Sequence, residues 1–310
     1  MTDVSVVICT HTFERWTDLL ASVASVRAQR VPAREVIVVV DGNAELLERA
    51  QANVVGAQVV LNRHPRGISG ARVTGAEHVT AEVVAFLDDD AIAEPGWIAG
   101  LLDVYRDPAV IGAGGWVTPL WRKPPPKWFP DEFNWVVGCS YTGMDVTGGR
   151  IRNPIGANMS VRADVLWRAG GFAPELGRVE VGGVVSGTAD ETEFCIRAAR
   201  LHPGGYWAFA PAATVHHAVT PARSTPRYFV RRCRQEGTAK ALLSRLTGTE
   251  DGLASERHYT RSVLPRAVVR ELRAAARGTP GAAGRAVAIG VGFSVTAGAY
   301  AHARIRLGRR

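Results

Sequence analysis

Four short apolar runs alternate with segments of helical periodicity in the first 90 residues, and this alternation restricts the fold more than any other feature. The runs cover residues 4–9, 36–40, 59–61 and 83–87, and all four are rich in valine. Strands buried on both faces of a sheet have continuous apolar sequences, and parallel strands need long crossover segments, usually helices. The sequence therefore predicts an α/β fold with a doubly wound, mostly parallel sheet flanked by helices.

Polar residues stand directly after three of the four predicted strands. They are Thr10, His11 and Thr12 after the first strand, Asp41 after the second, and Asp88, Asp89 and Asp90 after the fourth. Because ligands of doubly wound sheets bind at the carboxyl ends of the strands, we expect these side chains to lie along one edge and to contact a nucleotide. Asp41 considered alone is explained equally well as a helix cap.

The aspartate triplet, Asp88, Asp89 and Asp90, places three like charges at the end of a buried strand. Their repulsion near a low-dielectric sheet edge raises carboxyl pKa values unless a cation is present. Carboxylate oxygens are hard ligands suited to Mg²⁺ or Mn²⁺, so the triplet predicts a divalent metal site. The alternative is a solvated acidic turn, although such a turn needs no apolar strand before it.

The segment after the third strand contains Gly67, Gly70 and Arg72 at the predicted start of a helix. It matches neither the GxGxxG nor the GxxxxGK[ST] pattern, so it carries no dinucleotide-binding or P-loop motif. Backbone N–H groups at a helix start and a guanidinium nevertheless suit a diphosphate, which makes Arg72 a candidate ligand. A simple helix-opening turn with a surface arginine is the alternative.

The second half of the chain has a different composition. Residues 116–130 combine Trp116 and Trp121 with several prolines. Prolines exclude a central strand, and aromatic rings are platforms for sugar rings or lipid, although an ordinary packed loop explains the pattern equally well. Trp116, Trp121 and Asn158 are the candidate acceptor-binding residues. Residues 174–189, which are rich in Gly, Val and Ser, are predicted to form a mobile loop.

Asp190, Glu191 and Glu193 lie at the predicted start of the next helix. The helix dipole favours acidic residues in a first turn, which explains the charge without a catalytic role. The cluster also fits a general base held near the sheet edge. His216 and His217 are candidate metal ligands, but adjacent residues point to different sides, so at most one serves the site; His216 is the one assigned.

Charge is unevenly distributed along the chain. The net charge of +8 combines −5 over residues 1–220 with +13 over residues 221–310, where 18 Lys and Arg stand against 5 Asp and Glu. The C-terminal excess indicates an anionic neighbour such as a membrane surface or a phosphorylated acceptor. A GC-rich genome would also enrich arginine.

The C-terminal residues 286–301 carry no charged side chain and are flanked by arginines. Sixteen residues are fewer than the ~20 that a spanning helix needs, so an interfacial or tail-dimerising helix is predicted. The four cysteines lack metal-binding spacing and indicate reduced thiols, and the N-terminus lacks the pattern of a signal peptide. The expected location is the cytoplasm, or the inner face of the cytoplasmic membrane.

These motifs, in their order and spacing, resemble those of the inverting family 2 glycosyltransferases of the GT-A fold over about residues 3–245. The matching pieces are Val-Ser-Val-Val-Ile-Cys-Thr, Val-Val-Asp-Gly, Arg-Gly with Gly-Ala-Arg, Phe-Leu-Asp-Asp-Asp, Gly-Gly-Phe and Asp-Glu-Thr-Glu. The resemblance implies a GT-A domain over residues 1–245, with a nucleotide-binding half at 1–115 and an acceptor-binding half at 116–245. A helical, basic C-terminal extension follows at 246–310. The Asp-Gly-Asn turn and the Trp/Pro segment are most similar to glucuronosyltransferases that act on lipid-phosphate-linked glucose.

The same resemblance implies roles for the predicted site residues. Thr10 and Asp41 would contact the base and ribose of a nucleotide, usually uridine, and Arg72 would lie by the base or diphosphate. In the triplet, Asp90 would ligate Mn²⁺ or Mg²⁺ and Asp89 would lie near the ribose, while Asp88 is a candidate for both the metal and the nucleotide.

Glu191 would be the general base that deprotonates an acceptor hydroxyl. The family more often has Glu-Asp at this point, so Asp190 is the alternative base. The implied partners are a UDP-sugar donor, such as UDP-glucuronate or UDP-glucose, and a glycoside or lipid-linked acceptor; no nucleic acid is expected.

Three other classes of protein share some of these sequence features, but each lacks a feature that it needs or leaves one unexplained. The Leu-Asp-Asp-Asp string also imitates the nucleophile motif of haloacid-dehalogenase-like phosphatases, but that class needs a later catalytic lysine, and Lys123, Lys127 and Lys240 lie in unsuitable contexts. A non-enzymatic basic protein that binds anionic lipid or nucleic acid leaves the acidic edge unexplained. A nucleotidyltransferase would need a glycine-rich basic loop after the first strand, where Thr-His-Thr stands.

Overall fold

The computed structural model describes residues 2–173, 179–181, 184–186, 190–248 and 254–308. The chain forms two compact units that are discontinuous in sequence. The first unit comprises Met1–Thr118, Val146–Arg178 and Asp190–His217, and the second comprises Pro119–Asp145, Val179–Ala189 and Ala218–Arg310. The domain boundaries expected at residues 115 and 245 stay predictions.

Thirteen strands lie in the described part of the chain. They are β1 Val4–Thr10, β2 Val36–Val40, β3 Gln58–Leu61, β4 Val83–Asp88, β5 Ala91–Ala93, β6 Val110–Gly114, β7 Val117–Trp121, β8 Arg150–Ile151, β9 Asn158–Arg162, β10 Val179–Val181, β11 Val184–Ser186, β12 Tyr206–Phe209 and β13 Val215–Val219.

The same residues contain ten α-helices. They are α1 Trp16–Arg27, α2 Ala44–Asn53, α3 Ile68–Ala76, α4 Trp97–Val104, α5 Ala163–Arg168, α6 Asp190–Leu201, α7 Pro226–Thr247, α8 Ala254–His258, α9 Leu264–Ala276 and α10 Ala282–Gly308. Short 3₁₀ turns lie at Phe13–Arg15, Asp131–Val137, Thr147–Gly149 and Pro221–Ser224, and a π-helical turn, Tyr259–Val263, joins α8 to α9.

The main sheet has eight strands in the order β3–β2–β1–β4–β9–β6–β12–β8. The first four are parallel, as the alternation of apolar runs and helices predicts. Strand β9 runs antiparallel to both of its neighbours, and β8 runs antiparallel to β12 at the edge. The predicted mostly parallel α/β sheet is confirmed, with antiparallel strands in its second half.

Aromatic packing holds helix α6 against this sheet. Phe86 of β4 contacts Phe172 edge to face with 5.3 Å between ring centroids, and Phe172 lies 4.6 Å from Phe194 of α6. Phe194 in turn packs on Trp207 of β12. All four rings are buried, so burial of apolar area fixes the first turn of α6 relative to the end of β4.

A smaller sheet follows the order β5–β13–β7. Strand β13 pairs antiparallel with β5, and its register places His216 opposite Ile92 and His217 opposite Ala91. Since Ala91 directly follows the aspartate triplet, this pairing brings the two histidines to the end of β4.

Long helices dominate the second unit. Helix α7 carries many arginines, and α10 packs along it. Close approach of the two backbones requires Gly237, because an added Cβ would overlap Thr296 O. Arg245 Nη1 also donates to Leu307 O at 2.6 Å.

Two segments, residues 174–189 and the C-terminal helix, differ from what the sequence predicts. The predicted loop at 174–189 contains strands β10 and β11, which pair antiparallel, and its other residues, 174–178, 182–183 and 187–189, lie outside the described part. Helix α10 is longer than the uncharged 286–301 segment. Within the described residues it alone is long and apolar enough to cross a membrane, a weak indication that rests on length and composition only.

Candidate active site

The three aspartates at the end of β4 differ in their exposure to solvent. Asp89 and Asp90 are buried, with 2% and 4% of their surface exposed, whereas the side chain of Asp88 is 32% exposed. Burial raises the pKa of Asp89, and the neighbouring carboxylate of Asp90 raises it further. Two desolvated carboxylates at one strand end are stabilised by a cation, as the sequence predicts.

His217 faces the two outer carboxylates of the triplet. Its Nε2 lies 3.2 Å from Asp90 Oδ1 and 3.9 Å from Asp88 Oδ2. One donor atom from each residue lies within 4.8 Å of the others. Two carboxylates and an imidazole at these separations fit one divalent cation, and His217 and Asp90 are buried enough to hold their positions.

His216, the histidine assigned to the metal from the sequence, lies elsewhere. Its Nε2 is 2.9 Å from Glu94 Oε1 on the exposed side of β13. Successive residues of a strand point to opposite faces, so the β5–β13 register that brings His217 to the triplet turns His216 away. The structure thus corrects the assignment by one residue.

Arg15 is a site residue that the sequence analysis missed. Its Nη1 lies 2.7 Å from Asp89 Oδ1, and its Nη2 lies 3.3 Å from Asp90 Oδ2. Burial works against its positive charge, but the carboxylates of Asp89 and Asp90 outweigh burial and raise the arginine pKa. Asp89, which was expected to lie near a ribose, is engaged by this guanidinium. The sequence feature that could have indicated Arg15 is its position just after the Thr-His-Thr segment, at the end of the first strand.

Asp41 is part of a hydrogen-bonded turn at the end of β2. Its carboxylate accepts hydrogen bonds from Asn62 Nδ2 at 2.7 Å and from the Gly67 amide at 2.9 Å. The helix-cap alternative is wrong for Asp41, because Asn43 caps α2 through a 3.0 Å bond from the Leu46 amide. Asp41 therefore links the turn after β2 to the glycine that opens α3.

The residues after β1 have unequal surroundings. Thr10 is buried, and its carbonyl accepts a 2.8 Å hydrogen bond from the Asp41 amide. Thr12 caps the 3₁₀ turn by accepting from the Glu14 amide at 3.3 Å, and His11 is exposed. The Thr10 and Asp41 backbones are adjacent, which is the arrangement expected of two strand ends on one sheet edge.

Arg72 lies inside the site and not on the surface, so the alternative of a surface arginine is wrong. Its guanidinium is 2.7 Å from Glu191 Oε1 and 3.9 Å from Asp88 Oδ1. The same group lies over the rings of Phe86 and Phe172. Burial opposes the charge of Arg72, but the surrounding carboxylates, above all Glu191, outweigh it and raise its pKa.

Asp190 and Glu191 begin α6 but face different surroundings. Asp190 is 1% exposed, and its Oδ2 accepts a 2.6 Å hydrogen bond from Ser69 Oγ. Burial raises the pKa of Asp190, and the neighbouring Glu191 charge raises it further. The side chain of Glu191 is 26% exposed and pairs with Arg72, so it is the more accessible of the two carboxylates.

Comparison with known proteins agrees with this geometry. Residues 5–170 match the family described as Glycosyl transferase family 2. Over 247 residues the chain is 37% identical to the glucosyl-dolichyl phosphate glucuronosyltransferase of Haloferax volcanii, with 78% of each chain covered. The chain belongs to glycosyl transferase family 2.

More distant relatives extend the likeness over most of this family 2 glycosyltransferase. It is 27% identical over 234 residues to the succinoglycan biosynthesis protein ExoM of Rhizobium meliloti, covering 73% of this chain and 70% of that protein. A mannosyltransferase from Pyrobaculum calidifontis, solved with GDP-mannose and Mn²⁺, superposes with a TM-score of 0.61 at 17% identity. That superposition covers 97% of this chain and 86% of the other. The GT-A fold expected from the sequence is confirmed, and the phosphatase and non-enzymatic alternatives are wrong.

The candidate acceptor-binding residues of the glycosyltransferase differ in burial and in contacts. Asn158 is fully buried; its amide donates to Ala213 O at 2.8 Å and Trp116 O at 3.1 Å, and it accepts from Trp97 Nε1 at 2.8 Å. These bonds give Asn158 a structural position, contrary to the expectation that it contacts the acceptor. Trp116 is 37% exposed and packs edge to face on Phe209.

Trp121 belongs to the second unit of the glycosyltransferase. Its ring centroid lies 5.4 Å from that of Phe129, in an edge-to-face contact. Phe129 is buried and contacts Phe229 of α7. The Trp/Pro segment therefore has an aromatic core of its own, and a sugar or lipid contact at Trp121 stays a prediction.

Proposed function

We propose that this enzyme is a metal-dependent, inverting glycosyltransferase that moves a sugar from a nucleotide-diphosphate donor to an acceptor hydroxyl. The observation that carries the proposal is the convergence of Asp88, Asp90 and His217 with the Arg72–Glu191 pair. Arg72 lies within 3.9 Å of Asp88 and 2.7 Å of Glu191, so it links the metal donors to the candidate base.

The donor set fits a divalent cation such as Mn²⁺ or Mg²⁺. Carboxylates suit both ions, and the imidazole of His217 favours the transition metal Mn²⁺. A cation bound there supplies Lewis-acid neutralisation of the charge that develops on the departing diphosphate. Asp90 and Asp88 would hold it, with His217 as the third ligand.

Residues outside the metal cluster would hold the donor nucleotide or support the carboxylates. Thr10 and Asp41, at adjacent strand ends, would contact the base and ribose. Asp41 already accepts two hydrogen bonds, and a carboxylate has capacity for two more. Arg15 would hold Asp89 and Asp90 in place through its two close contacts, and Arg72 would face the diphosphate.

Glu191 is the proposed general base, and its partial exposure supports this choice over the buried Asp190. Its carboxylate would take the proton of the acceptor hydroxyl, whose oxygen then forms a bond to the anomeric carbon. The bond from that carbon to the diphosphate oxygen breaks at the same time, and its electron pair leaves with the nucleoside diphosphate. Attack opposite the leaving group inverts the anomeric centre.

The proposed donor is a UDP-sugar, UDP-glucuronate or UDP-glucose, and the proposed acceptor is a lipid-linked glycoside. The relative from Haloferax volcanii, which is named a glucosyl-dolichyl phosphate glucuronosyltransferase, supports a glucuronosyl donor and a lipid-linked acceptor at 37% identity. A lipid-linked acceptor also agrees with a cytoplasmic enzyme held peripherally at the inner face of the cytoplasmic membrane.

Calorimetry of UDP binding with and without Mn²⁺ tests the proposed donor site. We expect metal-dependent affinity that Asp90→Ala abolishes, while Glu191→Gln retains binding and loses at least ~10²-fold in transfer rate, the lower range for a general base. Asp103→Ala and Glu48→Gln make the same chemical changes at exposed positions and serve as controls. A nucleotide-sugar panel read by UDP or GDP release identifies the donor.

Two results would contradict the proposal. UDP and GDP affinities that are both independent of added metal would remove the metal–diphosphate role of Asp88, Asp90 and His217. Retained transfer in Glu191→Gln, with loss in Asp190→Asn, would instead make Asp190 the base.

A further inference from the structure

Helix α9 exposes two parallel stripes of contrasting chemistry. Its apolar stripe consists of Pro265, Val269, Leu272 and Ala276. Its arginine stripe consists of Arg266, Arg270 and Arg273, together with Arg277, the residue that directly follows the helix. Each stripe repeats at intervals of four, three and four residues, which places its members on one helix face. All eight residues are exposed, and Leu272 keeps 55% of its surface accessible.

The opposite face of α9 is fixed to the second unit. Leu264, Ala267 and Glu271 are buried. Glu271 pairs with Arg285 at 2.7 Å, and Arg270 bridges Glu271 at 2.7 Å. The exposed stripes are therefore held in a defined orientation.

Arg270 also reaches a second buried carboxylate, Glu132, whose Oε1 lies 3.0 Å from its Nη1. Of the four arginines in the stripe, Arg270 thus has a structural ion-pair role. Arg266, Arg273 and Arg277 are the members left to act on a partner of opposite charge, and all three are exposed.

Helix α10 adds an exposed surface without charge. Val287, Val291 and Phe293 are 65%, 41% and 46% exposed, within a segment that has no charged residue from 286 to 301. Val287 and Val291 lie four residues apart and so share one face of α10, which gives this helix an exposed apolar strip of its own.

We propose that α9 docks on an anionic lipid bilayer, with the arginine stripe at the level of the lipid phosphates and the apolar stripe at the boundary of the acyl chains. An amphipathic helix with apolar and basic faces has this interfacial geometry. The +13 charge of residues 221–310 complements an anionic surface. The inference goes beyond the proposed transfer, because it holds whichever sugar and acceptor the enzyme uses.

A second copy of this chain and a nucleic acid fit the surface less well. Two copies meeting through α9 would bring two arginine stripes of like charge together, which costs association energy. A nucleic acid would engage the arginines but would leave Val269 and Leu272 in water. A bilayer satisfies both stripes at once.

The test measures flotation of the full-length protein with phosphatidylcholine vesicles, with and without an equimolar amount of phosphatidylglycerol. We expect binding to the anionic vesicles that weakens as salt is raised. Arg266→Gln/Arg273→Gln should reduce the partition constant by roughly 25-fold, about fivefold per arginine. Val269→Ser/Leu272→Ser should reduce it by roughly tenfold or more, since two apolar side chains lose their buried environment.

Matched control variants make the same changes outside α9. Arg106→Gln/Arg168→Gln removes two exposed arginines, and Val55→Ser/Leu201→Ser removes an exposed valine and leucine. Neither control should change flotation. The arginine pair is fully on the surface, so its result stands even if the apolar variant folds poorly.

Three outcomes would overturn the inference. The first is no flotation of the wild-type protein with anionic vesicles. The second is equal losses in the α9 variants and in their controls. The third is a dimer in light scattering that Val269→Ser/Leu272→Ser converts to a monomer while vesicle binding stays unchanged, which would make the stripe an interface between copies.

Discussion

The two adjacent histidines of β13 have different partners because strand residues alternate between faces. His217 lies within 3.9 Å of both Asp88 and Asp90, whereas His216 lies beside Glu94. The pair therefore offers an internal comparison in which the same substitution is made at neighbouring positions.

We expect His217→Ala to weaken metal-dependent nucleotide binding by at least roughly tenfold, since even groups that only orient metal ligands contribute that much. His216→Ala should leave this affinity unchanged. Titration of Mn²⁺ at a fixed UDP concentration measures both variants. Equal losses in the two variants would show that strand β13 acts through its fold and not through one ligand.

The buried carboxyl group of Asp190 makes the stability of the folded protein depend on pH. Burial, and then the charge of Glu191, raise its folded pKa above the ordinary aspartate value of 3.8. The folded state therefore holds this proton more tightly than the unfolded chain, so the contribution to stability is full below pH 3.8 and is lost as pH rises through the folded pKa.

Asp190→Asn keeps an acceptor for Ser69 Oγ and removes the buried charge. We expect this variant to melt at a higher temperature than the wild type near neutral pH, with the difference shrinking towards about pH 4. Thermal melts of both proteins across that range measure the effect. A difference that grows towards acid pH would mean that the folded pKa of Asp190 is lowered.

At the scale of elements, the turn before β9 allows α3 and α6 to place their site residues close together. A Cβ added to Gly156 would overlap Glu191 Oε1 and would lie 2.5 Å from an Arg72 nitrogen. The absence of a side chain at this turn is therefore a condition for the Arg72–Glu191 contact.

Gly156→Ala should displace Glu191 and lower the transfer rate by about 10²-fold, the usual effect of a misplacement of roughly 1 Å. Nucleotide affinity should fall less than the transfer rate, because the added methyl disturbs Arg72 but does not contact Asp88, Asp90 or His217. Gly298→Ala, which meets no atom within 4 Å, is the control in steady-state kinetics. A full-rate Gly156→Ala enzyme would exclude Glu191 from the chemical step.

Helix α10 has a buried and an exposed side. Replacing a large apolar side chain by alanine should therefore affect stability differently on the two sides. Ile289 is 1% exposed and Val287 is 65% exposed. Ile289→Ala should lower the free energy of unfolding by about 2–5 kcal/mol through the cavity it leaves. Val287→Ala should change it by less than about 0.5 kcal/mol, and urea unfolding compares the two.

At the scale of the whole molecule, charge is divided between an acidic catalytic part and a basic C-terminal part. Residues 1–220 carry −5 and residues 221–310 carry +13. The acidic edge concentrates carboxylates at the end of β4, where a cation would offset their charge and that of the anionic diphosphate. Binding of these two ligands should therefore be coupled.

Mn²⁺ and UDP added together should stabilise the folded protein by about 2.7 kcal/mol at a concentration near 100 times Kd. UDP with a chelator should give little shift in melting temperature, because the phosphates would then meet unneutralised carboxylates. Differential scanning fluorimetry reads the four combinations of metal and nucleotide. A full shift with UDP in the presence of a chelator would contradict metal-dependent binding.

The amino-acid sequence alone predicts the α/β class, the parallel half of the sheet and the sheet edge on which Asp41 and the aspartate triplet lie. These features depend on apolar runs and on helical periodicity, which are local properties of the chain. The basic charge of the C-terminal part is likewise evident from the sequence, because it does not depend on what packs against it.

Which of those polar residues contact one another depends on the three-dimensional packing of the chain. The choice of His217 over His216 rests on the register of β13 against β5, which no local pattern encodes. Arg15 reaches Asp89 across 74 residues, and Ser69 reaches Asp190 across 121. Such contacts arise from long-range strand pairing and helix packing, so the electrostatics of the site follow from the fold and not from any one segment of the sequence.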